Sequence, residues 1–216
     1  MLIWPGAWNA EYNFYLSKVI EAGYGGEMAK TMLTNAVGFL LDKADVKNYV
    51  GSFFPLGYLI QDYEEKKMSR LGWCYGDPGV LICLWQAAVA LNDEDLKQRV
   101  IQMTTRSVQR KSPSETRIWD GCLCHGFAGN ALWYDRMYRY TGEMIFSEAS
   151  SYWIDRLLEQ LDTLGGIGKF SVYHYKDDVF VPSMGFLTGA TGVGLALISV
   201  ANPQITPSWD RFLLLS

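Results

Sequence analysis

The feature that most constrains this chain is a pattern used three times: two glycines separated by two residues, then at once an apolar helical run. It occurs at Gly76–Gly79, Gly126–Gly129 and Gly189–Gly192, so the copies start 50 and 63 residues apart (126−76 and 189−126). Recurrence at this length marks an array of helical units, in which each unit buries its apolar face against the next. An apolar helix followed by a more polar one predicts an inner and an outer layer. Curling the inner helices together makes a toroid, with the glycine turns gathered at one end. The expected fold class is therefore all-α, part of an α/α toroid.

Taken in order, residues 10–22 read as an amphipathic helix with Phe14, Leu16, Val19 and Ile20 as its buried stripe, ended by Gly23-Tyr-Gly-Gly26. A second helix is expected over about 27–44, with Met28, Met32, Leu33, Val37, Leu40 and Leu41 at helical spacing. Residues 45–69 read as irregular and aromatic, closing on a solvated Glu64-Glu-Lys-Lys67. Val80 to Leu91 carries almost no charge and should be buried nearly all round. Asn92-Asp-Glu-Asp95 supplies a cap and an acidic first turn for a helix over about 93–109, with Leu96, Val100, Met103 and Val108 inward. After a loop at Ser112-Pro-Ser114, the same two-helix unit is expected again, from Gly126 to about Tyr140 and over about 146–161. Leu164–Gly168 reads as a loop, and Lys169 to Val181 as the one strand-like stretch, a hairpin turning at Lys176-Asp-Asp178. Gly189 then opens the third apolar helix, Val193 to Val200.

Composition excludes several classes. Apolar residues at 49% and charged residues at 19% fit a well-buried globular protein rather than a disordered one. A net charge of -4 and no Lys/Arg run argue against a nucleic-acid partner. The apolar run from Gly185 to Ala201 is short and broken by glycines, so no membrane-spanning segment is expected. The start, Met-Leu-Ile-Trp-Pro-Gly, lacks the basic and apolar regions of a secretory signal, which predicts a cytoplasmic protein with reduced cysteines.

That redox setting turns attention to the residues beside the first two glycine turns. Trp73-Cys-Tyr-Gly-Asp-Pro-Gly79 and Cys122-Leu-Cys-His-Gly-Phe-Ala-Gly129 offer thiols and an imidazole next to helix starts. Cys74, Cys124 and His125 together make a three-ligand zinc set that leaves a fourth tetrahedral position open, as a catalytic zinc requires. The spacing is not that of a zinc finger, which closes all four positions. Asp77 and Asp120 flank these motifs and read either as acceptors orienting the ligands or as turn caps. Cys83 reads as a packing residue, and Cys122, two residues before Cys124, as a packing residue or a spare ligand. His174 reads as structural or exposed. Trp73, Tyr75 and Phe127 are expected to wall the site or to pack in the core.

Arg70-Leu-Gly-Trp-Cys-Tyr-Gly-Asp-Pro-Gly79, Cys124-His-Gly-Phe-Ala-Gly129 and Pro182-Ser-Met-Gly-Phe-Leu-Thr-Gly-Ala-Thr-Gly-Val-Gly-Leu-Ala-Leu197 resemble, in this order, the signature motifs of the lanthionine synthetase C-like family. The resemblance covers most of the chain but only the C-terminal half of a full member. It implies a single toroid domain over residues 1–216 that lacks the N-terminal half of a double ring of seven inner and seven outer helices. It implies one Zn2+ held by Cys74, Cys124 and His125, with Arg70 and His125 as the candidate catalytic residues, Arg70 stabilising charge. The implied reaction adds a cysteine thiol of a dehydrated precursor peptide to dehydroalanine or dehydrobutyrine, closing a thioether ring. A dehydratase is an implied partner. The alternatives are a non-catalytic protein binding zinc and a small thiol such as glutathione or a peptide, and an inactive truncated fragment. Full members also carry an aspartate and a second histidine for acid–base work in their first half, and no position here matches them.

Overall fold

The computed structural model describes residues 2–3, 7–44, 51–55, 58–59, 68–164, 170–174, 176–204 and 208–215. Glu64-Glu-Lys-Lys67, the loop at 165–168 and most of the aromatic stretch 45–69 lie outside the described residues. The chain divides into two compact units, Met1–Lys111 with Arg211–Ser216, and Ser112–Asp210.

In the first unit, β1 (Leu2–Ile3) pairs antiparallel with β2 (Tyr58–Leu59). Helix α1 spans Ala7–Glu21 and α2 spans Gly26–Lys43. α3 (Asp77–Leu91) packs against α1, α2 and α4 (Glu94–Ser107). α3 is the core of this unit: Val80, Leu81, Ile82, Cys83 and Leu84 are fully buried in succession, as the lack of charge from Val80 onward predicts, and only the last turn, at Val89, opens to solvent. Each such aliphatic side chain removed from water contributes about 1.5–3 kcal/mol. Asn92, left-handed at φ 54, ends α3, and the Asp93 carboxylate caps α4 by accepting from the Leu96 amide at 2.9 Å.

Two helix faces depart from expectation. On α1 the buried positions are Asn13 and Ser17, one turn apart, with the Ser17 hydroxyl donating to the Asn13 carbonyl; Phe14, Leu16, Val19 and Ile20 are half-buried. On α2 the buried line is Ala29, Leu33, Val37 and Leu40, while Met28 is 75% and Met32 53% exposed. One helix stripe is narrower than the full set of its apolar residues.

In the second unit, Ser112-Pro-Ser114 is not a loop but opens α5 (Pro113–Thr116) through a capping box between Ser112 and Glu115. α6 (Phe127–Thr141) packs on α7 (Met144–Leu164) and on α8 (Ala190–Ala201). Gly142, at φ 74, closes α6. The expected hairpin is present as β3 (Ser171–His174) paired antiparallel with β4 (Val179–Pro182). A buried polar network fixes α6 from its outer end: Arg136 Nη1 donates to Asp135 at 2.7 Å and Arg136 Nε to Asp210 at 2.6 Å. Asp210 belongs to a closing 3-10 turn, Trp209–Leu213. Burial holds the Asp135 carboxyl above the usual carboxylate range despite the Arg139 and Arg136 guanidinium groups beside it.

Candidate metal centre

The three glycine turns have one construction. Gly76, Gly126 and Gly189 are the N-caps of α3, α6 and α8, and all three are extended, at φ -165, -108 and -138. Any residue can adopt that backbone, so glycine is required here by space. A Cβ on Gly76 would meet the Arg70 carbonyl oxygen at 1.9 Å, one on Gly126 the Asp120 oxygen at 2.4 Å, and one on Gly189 the Ser183 oxygen at 2.2 Å. In each case the approaching carbonyl belongs to the residue six positions earlier (76−70, 126−120, 189−183). The second glycine repeats the contact: Gly129 meets the Leu123 oxygen at 1.9 Å and Gly192 the Phe186 oxygen at 1.8 Å, again six back (129−123, 192−186). The hydrogen bonds repeat as well. The first helical amide, Phe127 or Ala190, donates to the carbonyl seven back, Asp120 or Ser183, at 3.0 and 2.9 Å. Arg70 and Gly76 form the corresponding bridge in the first copy.

This shared build gives every residue of the turn a register. Two positions before the cap glycine stand Cys74, Cys124 and Leu187; one before it stand Tyr75, His125 and Thr188. The two candidate thiol ligands thus occupy the same place in two copies of one loop. Cys74 and Cys124 are each 8% exposed and His125 is half-buried. None of the four cysteines, all of them described, is in a disulfide. Within the second unit, donor atoms of Asp120, Cys122 and His125 lie within 4.8 Å of one another. Cys122 therefore sits among metal-type donors as well as in the core. Thiolate and imidazole donors at this burial suit zinc, so the residues fit the implied metal.

The flanking carboxylates tie their loops together. Asp77 is fully buried and accepts from the amides of Phe53 and Phe54 at 3.0 Å each and from Arg110 Nη1 at 3.1 Å. Arg110 Nη2 in turn donates to the Ser69 carbonyl at 2.6 Å, bracing the residue before Arg70. Burial pushes the Asp77 carboxyl up, against the opposing pull of Arg110 and the two amides. Asp120 accepts from the Cys122 amide at 3.0 Å and from the Tyr173 amide at 2.9 Å, tying the hairpin to the Cys-x-Cys-His loop. Nothing local in sequence announces Arg110 as the partner of Asp77, because the pair joins residues 33 apart.

The aromatic neighbours separate. Phe127 stacks on Trp153 at 5.8 Å between ring centres and is core. Trp73 is half-buried and donates from Nε1 to the Leu213 carbonyl at 2.6 Å. Tyr75 is 39% exposed. Arg70 is half-buried and forms no ion pair among the described residues. His174 is exposed at the end of β3, as expected. Burial, with the Glu11 charge adding to it, pushes the Cys83 thiol well above its usual range and leaves an inert core thiol.

Among solved structures, the chain is similar to one described as nisin cyclase, with a TM-score of 0.71 and 19% identity over 96% of this chain and 48% of that one. The chain spans about half the length of that structure. The likeness bears out the all-α fold, part of an α/α toroid, that the glycine recurrence predicted. No helix among the described residues is long and apolar enough to cross a membrane. The family model described as lanthionine synthetase C-like protein matches residues 15–214, the three glycine turns included, and the chain accordingly belongs to that family.

Proposed function

We propose that this chain is a zinc-dependent, lanthionine cyclase-like protein that acts on a dehydrated precursor peptide in the cytoplasm, with a dehydratase supplying the substrate. The observation that supports it most is the common register of Cys74 and Cys124, two residues before the cap glycine of the same loop, in a family member similar in fold to a nisin cyclase. Cys74, Cys124 and His125 would hold the metal. A zinc ion with one open position supplies Lewis acidity that lowers the pKa of a substrate thiol into the neutral range.

The chain's own side chains have definite tasks in this reading. The two cysteines and His125 set the ligand field, and Asp120 and the Asp77–Arg110 pair keep their loops rigid. In the addition, sulfur bonds to the β-carbon of the dehydro residue and the carbon–carbon π pair moves toward the adjoining carbonyl. The half-buried Arg70 guanidinium stabilises the negative charge that gathers on that oxygen. The proton given up by the thiol is matched by one gained at the α-carbon, so the product has the mass of the substrate.

One observation favours a second reading. The chain spans 48% of the nisin cyclase chain, and its two histidines are His125 and His174, neither of which supplies a separate acid–base group at the site. A protein that holds zinc and a thiol ligand, glutathione or a peptide, without turnover is consistent with that. Metal analysis of the purified protein decides first: about one zinc per chain is expected, with Cys74→Ala and Cys124→Ala both losing it. A zinc-free wild type refutes the proposal. Incubation with a dehydrated, cysteine-containing peptide then separates catalysis from binding: loss of alkylatable thiol at constant mass supports the cyclase, and a persistent thiol on a bound peptide supports the binding protein.

A further inference from the structure

The third copy of the glycine loop carries no thiol, so its contribution must come from what stands in the ligand positions instead. Leu187 is in register with Cys74 and Cys124, and Thr188 is in register with His125. Leu187 is 39% exposed, a large apolar side chain left open in the place where the other copies set a ligand. The Cys124 amide donates to the Leu187 carbonyl at 2.9 Å, so the Leu187-Thr188 step lies directly against the Cys124-His125 step.

The hydroxyl count at Thr188 leaves a donor to spend. Thr188 Oγ1 and Ser183 Oγ are 3.3 Å apart, and Ser183 Oγ also accepts from the Gly185 amide at 3.3 Å. Two hydroxyls bring two hydrogens, and only one can lie between the oxygens. Ser183 Oγ accepts from Gly185 with one of its two lone pairs, so either hydroxyl can donate to the other, and in both arrangements one hydrogen of the pair is left over. Among the described residues no acceptor takes that left-over hydrogen, which is the Thr188 one when Ser183 donates. A hydroxyl that accepts from a neighbour is polarised and donates more strongly. A neutral donor beside an exposed leucine suits an amide carbonyl in an apolar stretch of peptide.

We infer that Leu187 and Thr188 are the peptide-holding side of the centre: Thr188 donates a hydrogen bond to a backbone carbonyl of the bound peptide, and Leu187 packs against its apolar atoms. The inference rests on the reading above that the ligand is a peptide. It assigns the third loop to substrate positioning where the first two carry metal ligands.

The test uses the full, zinc-loaded chain with Thr188→Val, which keeps the shape and removes the hydroxyl, and Thr188→Ser, which restores it. The probe is a dye-labelled apolar peptide with one cysteine and no dehydro residue, so that it binds without reacting. Fluorescence anisotropy should show Thr188→Val weakening binding about 5- to 10-fold, the worth of one hydrogen bond, and Thr188→Ser within about 2-fold of wild type. Zinc content equal to wild type in both variants shows that the neighbouring loop is intact. Equal affinity of wild type and Thr188→Val, a Ser variant as weak as the Val variant, or no binding by wild type overturns the inference. A wild type that binds the probe with this Thr188 dependence yet never closes a ring in a dehydrated, cysteine-containing peptide refutes the cyclase reading and supports the inference.

Discussion

Two glycines only two residues apart on α8 should answer the same substitution with opposite signs. Gly192 faces backbone: an added Cβ would sit 1.8 Å from the Phe186 carbonyl oxygen and 2.9 Å from Leu123 Cβ. Real Cβ contacts stay beyond 3.0 Å, so one side must retreat by at least 1.2 Å (3.0−1.8). The obstacle is a main-chain carbonyl of the loop that carries Leu187, and no rotamer change removes it. Overpacking of this kind costs about 3 kcal/mol. Gly194 meets nothing within 4 Å. An alanine there spends no contact and spares the entropy that a mid-helix glycine forfeits, a gain of about 0.5–1 kcal/mol. For a chain of this size each kcal/mol moves the melting point by about 2–4 °C. Far-UV circular dichroism melts should therefore show Gly192→Ala falling by about 6–12 °C and Gly194→Ala rising by about 1–4 °C. A Gly192→Ala protein as stable as wild type would mean that the loop yields freely, and the claim that close approach dictates glycine in these turns would be wrong.

The buried Asp77–Arg110 pair should show its cost when broken. Arg110→Met leaves a buried carboxylate without its cation and is expected to lose about 3–5 kcal/mol near neutral pH. The sign of its pH dependence follows from the direction of the shift. Burial already raises the Asp77 pKa above its ordinary 3.8, and loss of the guanidinium raises it further. A raised carboxyl contributes stability that is fully present below about pH 4 and is lost as pH rises through the folded pKa. The deficit of Arg110→Met against wild type should thus grow from about pH 4 to about pH 7 in urea titrations, and a deficit independent of pH would show that Asp77 carries no charge in the native protein. Cys83 should resist iodoacetamide in the folded protein near pH 8 and react at once in denaturant, read by mass spectrometry; rapid labelling of folded protein would show α3 to be open.

What the sequence by itself determined is the helical array and its punctuation. Three G-x-x-G turns, each before an uncharged run, dictate buried helices opened by tight loops, because only glycine lets a backbone carbonyl approach so near a helix start. The hairpin was legible from the strand-like stretch Lys169 to Val181, and the buried part of α3 from the lack of charge between Val80 and Leu91. The candidate ligands were legible as residue types, since thiols and an imidazole beside such turns have few other uses in a reducing setting. Only the tertiary structure decided which faces are buried. Asn13 and Ser17 are buried on α1 where the larger apolar residues are only half-buried, and Met28 and Met32 stay exposed on α2, because packing buries one stripe of a helix and composition does not say which. Only the tertiary structure, too, paired Asp77 with Arg110, gave Asp120 to the Tyr173 amide, and brought Thr188 against the Cys124 loop. Those partners meet through hydrogen bonds between residues far apart along the chain, and neither helical periodicity nor local turn chemistry carries information about them.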